Sequence, residues 1–177
     1  MTDFAGTWTI DPAHSNIGFV TRHAMVTKVR GNFDDFTGTV TVDGDDSSTS
    51  RAEAVIKTSS VNTNNADRDA HVRGEDFFDV EKFPEMTFTS TGFDIDDARG
   101  TVTGDLTIKG VTKPVTLDVE ITGVDTDPFG NTRIGFEAST TINRTDFGID
   151  FQAPMGSGGV LVSEKVAIVI DGSGIKQ

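Results

Sequence analysis

Strict alternation of apolar and polar residues is the feature of this sequence that most constrains its fold. In residues 115–122 (VTLDVEIT) every odd position is apolar and every even position is polar. Successive side chains of a β-strand point to opposite faces, so this pattern is typical of a strand with one face against a core and the other in water. We therefore expect a fold built from β-sheet.

The same alternation recurs along most of the chain. It is clear in residues 101–108 and 133–139, and shorter versions include Trp8/Ile10, Ile17/Phe19, Val40/Val42, Ala52/Ala54/Ile56 and Met86/Phe88. Turn-forming residues separate these runs, as in residues 43–46 (DGDD), 96–100 (DDARG) and 127–131 (DPFGN). Eight or nine strands at hairpin spacing predict a single all-β domain over residues 1–177, an antiparallel sandwich or barrel.

One helix interrupts the strand pattern. Residues 66–73 (ADRDAHVR) follow a capping asparagine, Asn64 or Asn65, and carry acidic residues in the first turn. Gly74 is expected at the left-handed position that ends the helix. A second short helical turn is expected at residues 24–28 (AMVTK).

Residues 166–170 (VAIVI) depart from the alternation because all five are apolar. Such a run predicts a strand covered on both faces. A helix or a neighbouring subunit would supply the second cover, so a homodimer is a possible assembly.

Charge and composition exclude several classes of function. The chain has 28 Asp and Glu against 15 Lys and Arg, a formal net charge of −13, and we see no local basic cluster, which argues against binding to nucleic acid or to anionic membranes. The absence of cysteine excludes disulfides, thiol catalysis and iron–sulfur clusters. Residues 1–6 lack the features of a signal peptide, and no apolar run approaches the roughly 20 residues that span a bilayer, so we expect a cytoplasmic protein without stable membrane insertion.

The aromatic residues are 13 Phe and one Trp, with no Tyr. Phenylalanine offers a large apolar surface and no hydrogen-bonding group, so the apolar faces of this fold are expected to be dry.

Asp11, His14 and Ser15 have the residue types of a hydrolytic triad but lie within five residues. Triad members normally come from separate elements, so we expect these three to hydrogen-bond one another and the turn at Pro12. His14, His23 and His71 do not predict a metal site: the first two are nine residues apart, on opposite faces of an uninterrupted strand, and the third lies on the helix.

His23 shares a strand face with Ile17 and Phe19. A polar residue at the end of an apolar stripe has two possible roles of equal weight: it orients the polar head of a ligand, or it caps the mouth of a barrel.

A series of short motifs resembles the YceI-like family of lipid-binding proteins. The motifs are residues 11–19 (DPAHSNIGF), His23, 29–33 (VRGNF), 60–63 (SVNT), 68–72 (RDAHV), 76–80 (DFFDV), 83–84 (FP), 88–90 (FTS), 104–114 (GDLTIKGVTKP) and 143–148 (NRTDFG). They occur in order and extend over nearly the whole chain.

This resemblance implies an eight-stranded, lipocalin-like antiparallel barrel whose apolar interior binds a polyisoprenoid or another long-chain amphiphile, often in a homodimer. No other cofactor is implied. Many members of the family carry a signal peptide; its absence here favours an intracellular carrier or reservoir.

Within such a barrel, the candidate lining residues lie on inward strand positions and in the phenylalanine-rich segments: Ile17, Phe19, His23, Phe33, Phe36, Val40, Phe77, Phe78, Phe88, Phe136 and Phe147. The candidates for the polar head of the ligand are His23, Arg68 and Arg144. The alternative role for the two arginines is an ion-paired staple with Asp67, Asp69 or Asp146.

Two other functions stay open at this point. One is an enzyme that isomerises or hydrolyses a bound lipid with His14, His23 or the Asp11 carboxylate. The other is a barrel filled by its own side chains, with no cavity and a structural or stress-related role.

Overall fold

The computed structural model describes residues 2–153, 155–156 and 161–177. These residues contain eleven strands: β1 (Gly6–Ile10), β2 (Asn16–His23), β3 (Thr27–Phe33), β4 (Phe36–Val42), β5 (Arg51–Lys57), β6 (Val61–Asn62), β7 (Glu85–Asp96), β8 (Arg99–Ile108), β9 (Val111–Thr126), β10 (Thr132–Asn143) and β11 (Lys165–Lys176). The α-helix α1 (Ala66–Arg73) lies between β6 and β7, and short 3-10 segments occupy residues 2–4, 12–14, 47–49, 58–60 and 144–147.

The eleven strands make eight barrel strands, because each of the first three barrel strands is broken into two. The broken strands are β1 with β2, β3 with β4, and β5 with β6. β1 and β2 pair in succession along one edge of β11, with Ile10 opposite Gly174 and Asn16 opposite Asp171. β4 and β3 pair with β1 and β2, and β5 and β6 pair with β4 and β3. The sheet then continues through β7, β8, β9 and β10 back to β11. It is a closed, antiparallel up-and-down barrel, so the predicted eight-stranded lipocalin-like fold is confirmed.

The first break has a local cause in the sequence. The Asp11 side chain accepts a hydrogen bond from the Ala13 amide (3.0 Å), and Pro12 begins the 3-10 turn that follows. Proline has no amide hydrogen to give to a neighbouring strand, so the ladder stops here and resumes at Asn16.

The alternation on β9 is confirmed: Val115 and Ile121 are buried, whereas Thr116 and Asp118 are exposed. On β11 no helix covers the outer face among the described residues, since the outward Val169 is 43% exposed. Cover of this face by a neighbouring subunit stays a prediction.

The helix is capped as predicted at its N-terminus, where the Asn65 side chain accepts from the Arg68 amide (2.9 Å). The prediction for Gly74 is wrong, because its φ is −77° and the chain leaves the helix in an extended conformation. The Gly74 amide still donates to the His71 carbonyl (3.0 Å), so the helix end is satisfied without a left-handed residue.

The helical turn expected at residues 24–28 is also wrong. Ala24 and Met25 have φ of 53° and 64°, and the Val26 amide donates to the His23 carbonyl (3.2 Å). Two consecutive left-handed residues form the tight turn that matches the twist of a β-hairpin. The segment is the turn between β2 and β3, formed without the usual Asn or Gly.

Candidate functional site

The barrel interior holds two adjoining cavities. The larger, of about 560 Å³, lies toward α1, and the smaller, of about 160 Å³, lies toward β1. Five residues line both and mark where the cavities meet: Ile17, Ala54, Phe88, Leu117 and Ile170. The barrel is therefore not filled by its own side chains, and the hypothesis of a filled barrel is wrong.

The space is kept open by phenylalanine rings that lie over glycines on the neighbouring strand. A Cβ atom built on Gly31 would stand 2.3 Å from Phe19 Cζ, and one built on Gly104 would stand 2.4 Å from Phe88 Cζ. Each ring uses the volume that a side chain on the glycine would occupy. The rings therefore lie along the barrel wall and leave the centre free.

The β1 end of the barrel is closed. Trp8, 1% exposed, packs with Val42, Ile121 and Ile134, and its Nε1 donates to the Phe4 carbonyl (2.9 Å). The four residues of this layer line the smaller cavity, which therefore ends in apolar side chains. The larger cavity extends toward the opposite end of the barrel.

That opposite end, which we call the mouth, is polar. The lining of the larger cavity includes polar residues from the end of β2, from residue 63, from α1 and from residue 144: Thr21, Arg22, His23, Thr63, Asp67, Arg68, His71 and Arg144. The remaining lining is almost wholly apolar side chains. The site thus has a long dry part and one polar end.

α1 is fixed at the mouth through Thr63. The Asp69 carboxylate accepts from the Thr63 amide (2.8 Å) and hydroxyl (2.6 Å). The Arg68 Nε donates to the Thr63 hydroxyl (2.8 Å), and its Nη2 donates to the Thr63 carbonyl (2.7 Å). Arg68 therefore binds the neutral Thr63 and does not form the ion pair considered with Asp67 or Asp69.

Arg144 is a buried staple, 5% exposed. Its Nε, Nη1 and Nη2 donate to the carbonyls of Ser163 (2.9 Å), Ile149 (2.8 Å) and Val162 (3.2 Å). Burial lowers the pKa of the guanidinium, and the charge of Glu164 acts in the opposite direction. The ion pair considered for Arg144 with Asp146 is not formed in the part of the chain that the structure describes; backbone carbonyls accept from the guanidinium instead.

His71 is a mouth residue that sequence reasoning did not place in the site. Its Nε2 lies 2.9 Å from Asp76 Oδ2, and its ring meets the rings of Phe77 and Phe151 edge-on at centroid distances of 5.1 and 5.0 Å. The position of α1 against the barrel brings these residues together, and no local pattern in the sequence indicates it.

The structure brings every candidate lining and headgroup residue to one of the two cavities. The larger cavity is lined by Ile17, Phe19, His23, Phe33, Arg68, Phe77, Phe78, Phe88, Arg144 and Phe147, and the smaller by Ile17, Phe36, Val40, Phe88 and Phe136. Contact between these residues and a lipid stays a prediction.

Asp11 and His14 bond to each other, as expected, whereas Ser15 bonds to the distant strand β11. His14 Nδ1 lies 2.8 Å from Asp11 Oδ2, which also accepts from Arg133 Nη1 (2.8 Å). The Ser15 hydroxyl accepts from the Ser173 amide (2.9 Å) and donates to its carbonyl (3.3 Å). The serine is thus engaged with backbone and not with the histidine, so the geometry of a hydrolytic triad is not formed.

Within residues 2–153, 155–156 and 161–177, no three His, Asp or Glu side chains are grouped so that they could hold a metal ion. In the same part of the chain, no helix is both long and apolar enough to cross a membrane.

The closed barrel and its cavity define a lipocalin-like fold, in which the sheet encloses an interior space. Residues 8–173 match the YceI-like domain, and the chain belongs to the YceI-like family. It is 41% identical to the UPF0312 protein SAS2572 of Staphylococcus aureus over 167 residues, 94% of this chain and 93% of that protein.

Solved structures share the fold. A Campylobacter jejuni YceI protein superposes with a TM-score of 0.74 at 33% identity, over 88% of this chain and 90% of that one. A polyisoprenoid-binding domain from Saccharophagus degradans superposes with a TM-score of 0.73 at 16% identity, over 96% and 98% of the two chains.

Proposed function

We propose that the protein binds one long-chain amphiphilic lipid and holds it unchanged, as a carrier or reservoir. The observation that carries this proposal is the asymmetry of the interior. An apolar cavity of about 560 Å³ continues into a second one, ends at Trp8 on one side and opens at a polar mouth on the other. A molecule with one polar head and one long apolar tail matches this arrangement.

The cavity supplies enough apolar contact for tight binding. Its volume lies within the roughly 300–1,000 Å³ of small-molecule sites in proteins. Burial of a methylene group contributes about 0.8 kcal/mol, so a tail of about 15 carbons corresponds to about 12 kcal/mol before the costs of ordering. A free energy of that size corresponds to an affinity near the nanomolar range.

The head of the lipid is assigned to His23, Arg68 and Arg144 at the mouth. Arg68 is held by Thr63 through two of its three guanidinium nitrogens, which orients the group before a ligand arrives. Arg144 already donates from all three nitrogens to backbone carbonyls, so it contributes charge more readily than a new hydrogen bond.

Polyisoprenoids are the first class of tail to test. The fold-level neighbour from Saccharophagus degradans is described as a polyisoprenoid-binding domain. The phenylalanine-rich walls discriminate little between isoprenoid and acyl tails, so long-chain acyl lipids are tested beside them.

Two cavity variants and one control test the proposal. Phe19→Glu and Phe136→Glu place an ionised carboxylate in a dry space and are expected to abolish uptake of a prenyl alcohol and of a fatty acid. Phe129→Glu is the matched control, because Phe129 is 89% exposed on the β9–β10 turn, and should leave uptake unchanged. Retained uptake by both cavity variants, each shown to be folded by circular dichroism, would contradict the proposal.

The absence of a chemical step is tested separately. Lipid extracted after long incubation with the protein is expected to return unaltered. His14→Ala and His23→Ala are expected to yield the same extract. Catalysis would be shown by a chemically modified lipid in the extract of the unmodified protein that is absent from the extract of either variant.

A further inference from the structure

An apolar hairpin turn projects beside the mouth. Met25 is 56% exposed and Val26 is 75% exposed, and they are adjacent in the turn between β2 and β3. The turn adjoins the cavity, because the Ala24 amide donates to the carbonyl of Leu161 (2.8 Å) and Leu161 lines the larger cavity. An exposed apolar tip at the entrance to an apolar cavity points to contact with something apolar outside the protein.

The same hairpin carries a local positive charge, although the whole chain has a net charge of −13. The sequence has no Asp or Glu between Asp11 and Asp34, whereas this stretch holds Arg22, Lys28 and Arg30. The net charge of the whole chain hides this local concentration. None of these three side chains forms an ion pair with any residue that the structure describes.

The strand register places the three charges on one face of the hairpin. Arg22 is directly opposite Lys28, and Arg30 is opposite Val20, two residues from Arg22 on the same strand. Residues directly opposite each other share a face, so the basic side chains form one patch behind the apolar tip.

Two features of this hairpin are unfavourable for folding. Like charges directly opposite one another in a sheet repel. Ala24 and Met25 adopt left-handed backbone conformations that favour glycine or asparagine. Local costs of this kind are expected where a segment serves function and not stability.

We propose that residues 22–30, the docking hairpin, seat the mouth of the barrel on the surface of an anionic lipid bilayer. Met25 and Val26 enter the outer part of the bilayer, and Arg22, Lys28 and Arg30 face its negative headgroups. The purpose of this docking, transfer of a lipid between bilayer and cavity, rests on the proposed function; the docking itself does not.

The net charge of −13 does not prevent this contact. Charges farther away than a Debye length, about 8 Å at physiological ionic strength, are largely screened from the bilayer. β11 extends over 12 residues, and at about 3.3 Å per residue it separates the docking hairpin from the Trp8 end by more than 30 Å. Charges at the Trp8 end are therefore screened from a bilayer at the mouth, and residues 12–33 themselves contain no Asp or Glu. Asp67, which lines the mouth, opposes the attraction of the basic patch.

Flotation of the full chain with vesicles tests the proposal. Two compositions are used: phosphatidylcholine alone, and phosphatidylcholine with an equal amount of phosphatidylglycerol. The unmodified protein is expected to float with the anionic vesicles, to float poorly with the neutral ones, and to be released as salt is raised.

Three variants locate the contact. Met25→Asn with Val26→Ser removes the apolar tip and keeps a residue that tolerates the left-handed turn, and should weaken binding about tenfold or more. Lys28→Gln with Arg30→Gln should weaken it about 25-fold, since each basic residue near an anionic surface strengthens binding about fivefold. Phe129→Ser is the control at the other end of the barrel and should bind like the unmodified protein.

Absence of flotation with anionic vesicles, or hairpin variants that bind as well as the unmodified protein, would overturn the docking. Lipid uptake from an ethanol solution, without vesicles, is measured in parallel. Hairpin variants that keep this uptake and lose vesicle binding support the docking. Vesicle binding through the hairpin without any lipid uptake would overturn the proposed function and leave the docking in place.

Discussion

The ring of Phe136 lies over Gly172 on the neighbouring strand, so that a Cβ atom on Gly172 would stand 2.2 Å from Phe136 Cζ. The two residues are directly opposite each other between β10 and β11, and both line the smaller cavity. Phe19 and Gly31 repeat the relationship between β2 and β3. These pairs explain how a phenylalanine-rich barrel keeps an open interior, because the glycine provides room for the ring at the wall.

Gly172→Ala is expected to push the Phe136 ring into the smaller cavity. Overpacking of this kind costs about 1–3 kcal/mol of unfolding free energy, and the longest tails should bind less tightly than in the unmodified protein. Denaturant unfolding and uptake of a series of chain lengths measure the two effects.

Gly92→Ala is the control for this prediction, because a Cβ on Gly92 meets nothing within 4 Å. Adding Phe136→Leu to Gly172→Ala should restore the binding of lipids with long tails. Unchanged stability and unchanged chain-length preference in Gly172→Ala would show that the ring has room elsewhere.

Arg144→Met should destabilise the fold strongly. The substitution leaves the carbonyls of Ser163 and Ile149 without their donors, and each unsatisfied buried group costs about 1–3 kcal/mol. The Val162 carbonyl keeps the bond from Gln152 Nε2 (2.8 Å). Arg144→Lys should recover part of the loss, because an ammonium cannot reach three carbonyls in a fork. Equal stability of Arg144→Met and the unmodified protein in urea would contradict the staple.

Arg133 is expected to make stability depend on acid pH. Its Nε donates to Asp127 Oδ2 (2.7 Å), and this bond holds the Asp127 pKa at about 2, below the ordinary 3.8; the same guanidinium, followed by His14, lowers the pKa of Asp11. Because the folded pKa is the lower one, the stabilisation is present above the ordinary carboxyl value and is lost as pH falls through about 2.

Thermal unfolding of Arg133→Gln tests this pH dependence. The variant should melt below the unmodified protein near neutral pH, and the gap should close as pH falls toward 2. Arg99→Gln is the control, because Arg99 pairs with Glu120 (2.9 Å) on the exposed surface and such pairs contribute little. A gap for Arg133→Gln that is constant with pH would refute the assignment.

Met25→Gly should stabilise the protein while it weakens membrane docking. Relief of a left-handed non-glycine residue is worth about 1 kcal/mol, so the melting temperature should rise, by about 2–4 °C in a chain of this size. The same variant loses an apolar side chain from the docking hairpin and should float less with anionic vesicles. A lower melting temperature would show that the turn is not strained at this residue.

The sequence predicted the barrel because the alternation is strong where strands are long. Val115 and Ile121 on β9 are buried as the pattern requires. The family motifs then distinguished a barrel from a sandwich, which alternation alone does not do, since both architectures bury one face of each strand.

The turn at Ala24 and Met25 was missed because its residues carry no turn signal and have ordinary helix propensity. At this turn, local propensity is overridden by the position of β2 and β3 in the barrel. Periodicity predicted the strand at residues 166–170, but it does not show whether a helix or a second subunit covers the outward Val169.

The lining residues on the strands could be predicted from the face of the strand on which each residue lies. The residues that meet at the mouth could not be predicted in this way. His71 and Asp67 reach the mouth because Asp69 and Arg68 fasten α1 to Thr63. The rings over Gly31 and Gly172 depend on strand register, which the sequence does not specify before the barrel is closed.

Native mass spectrometry of the freshly purified protein, followed by organic extraction and mass analysis of what is released, tests whether the barrel holds a lipid. One lipid per chain is expected, with the mass spacing of isoprenoid units or of a long acyl chain. A clean mass without ligand, together with no uptake of added prenyl or acyl lipids, would contradict it.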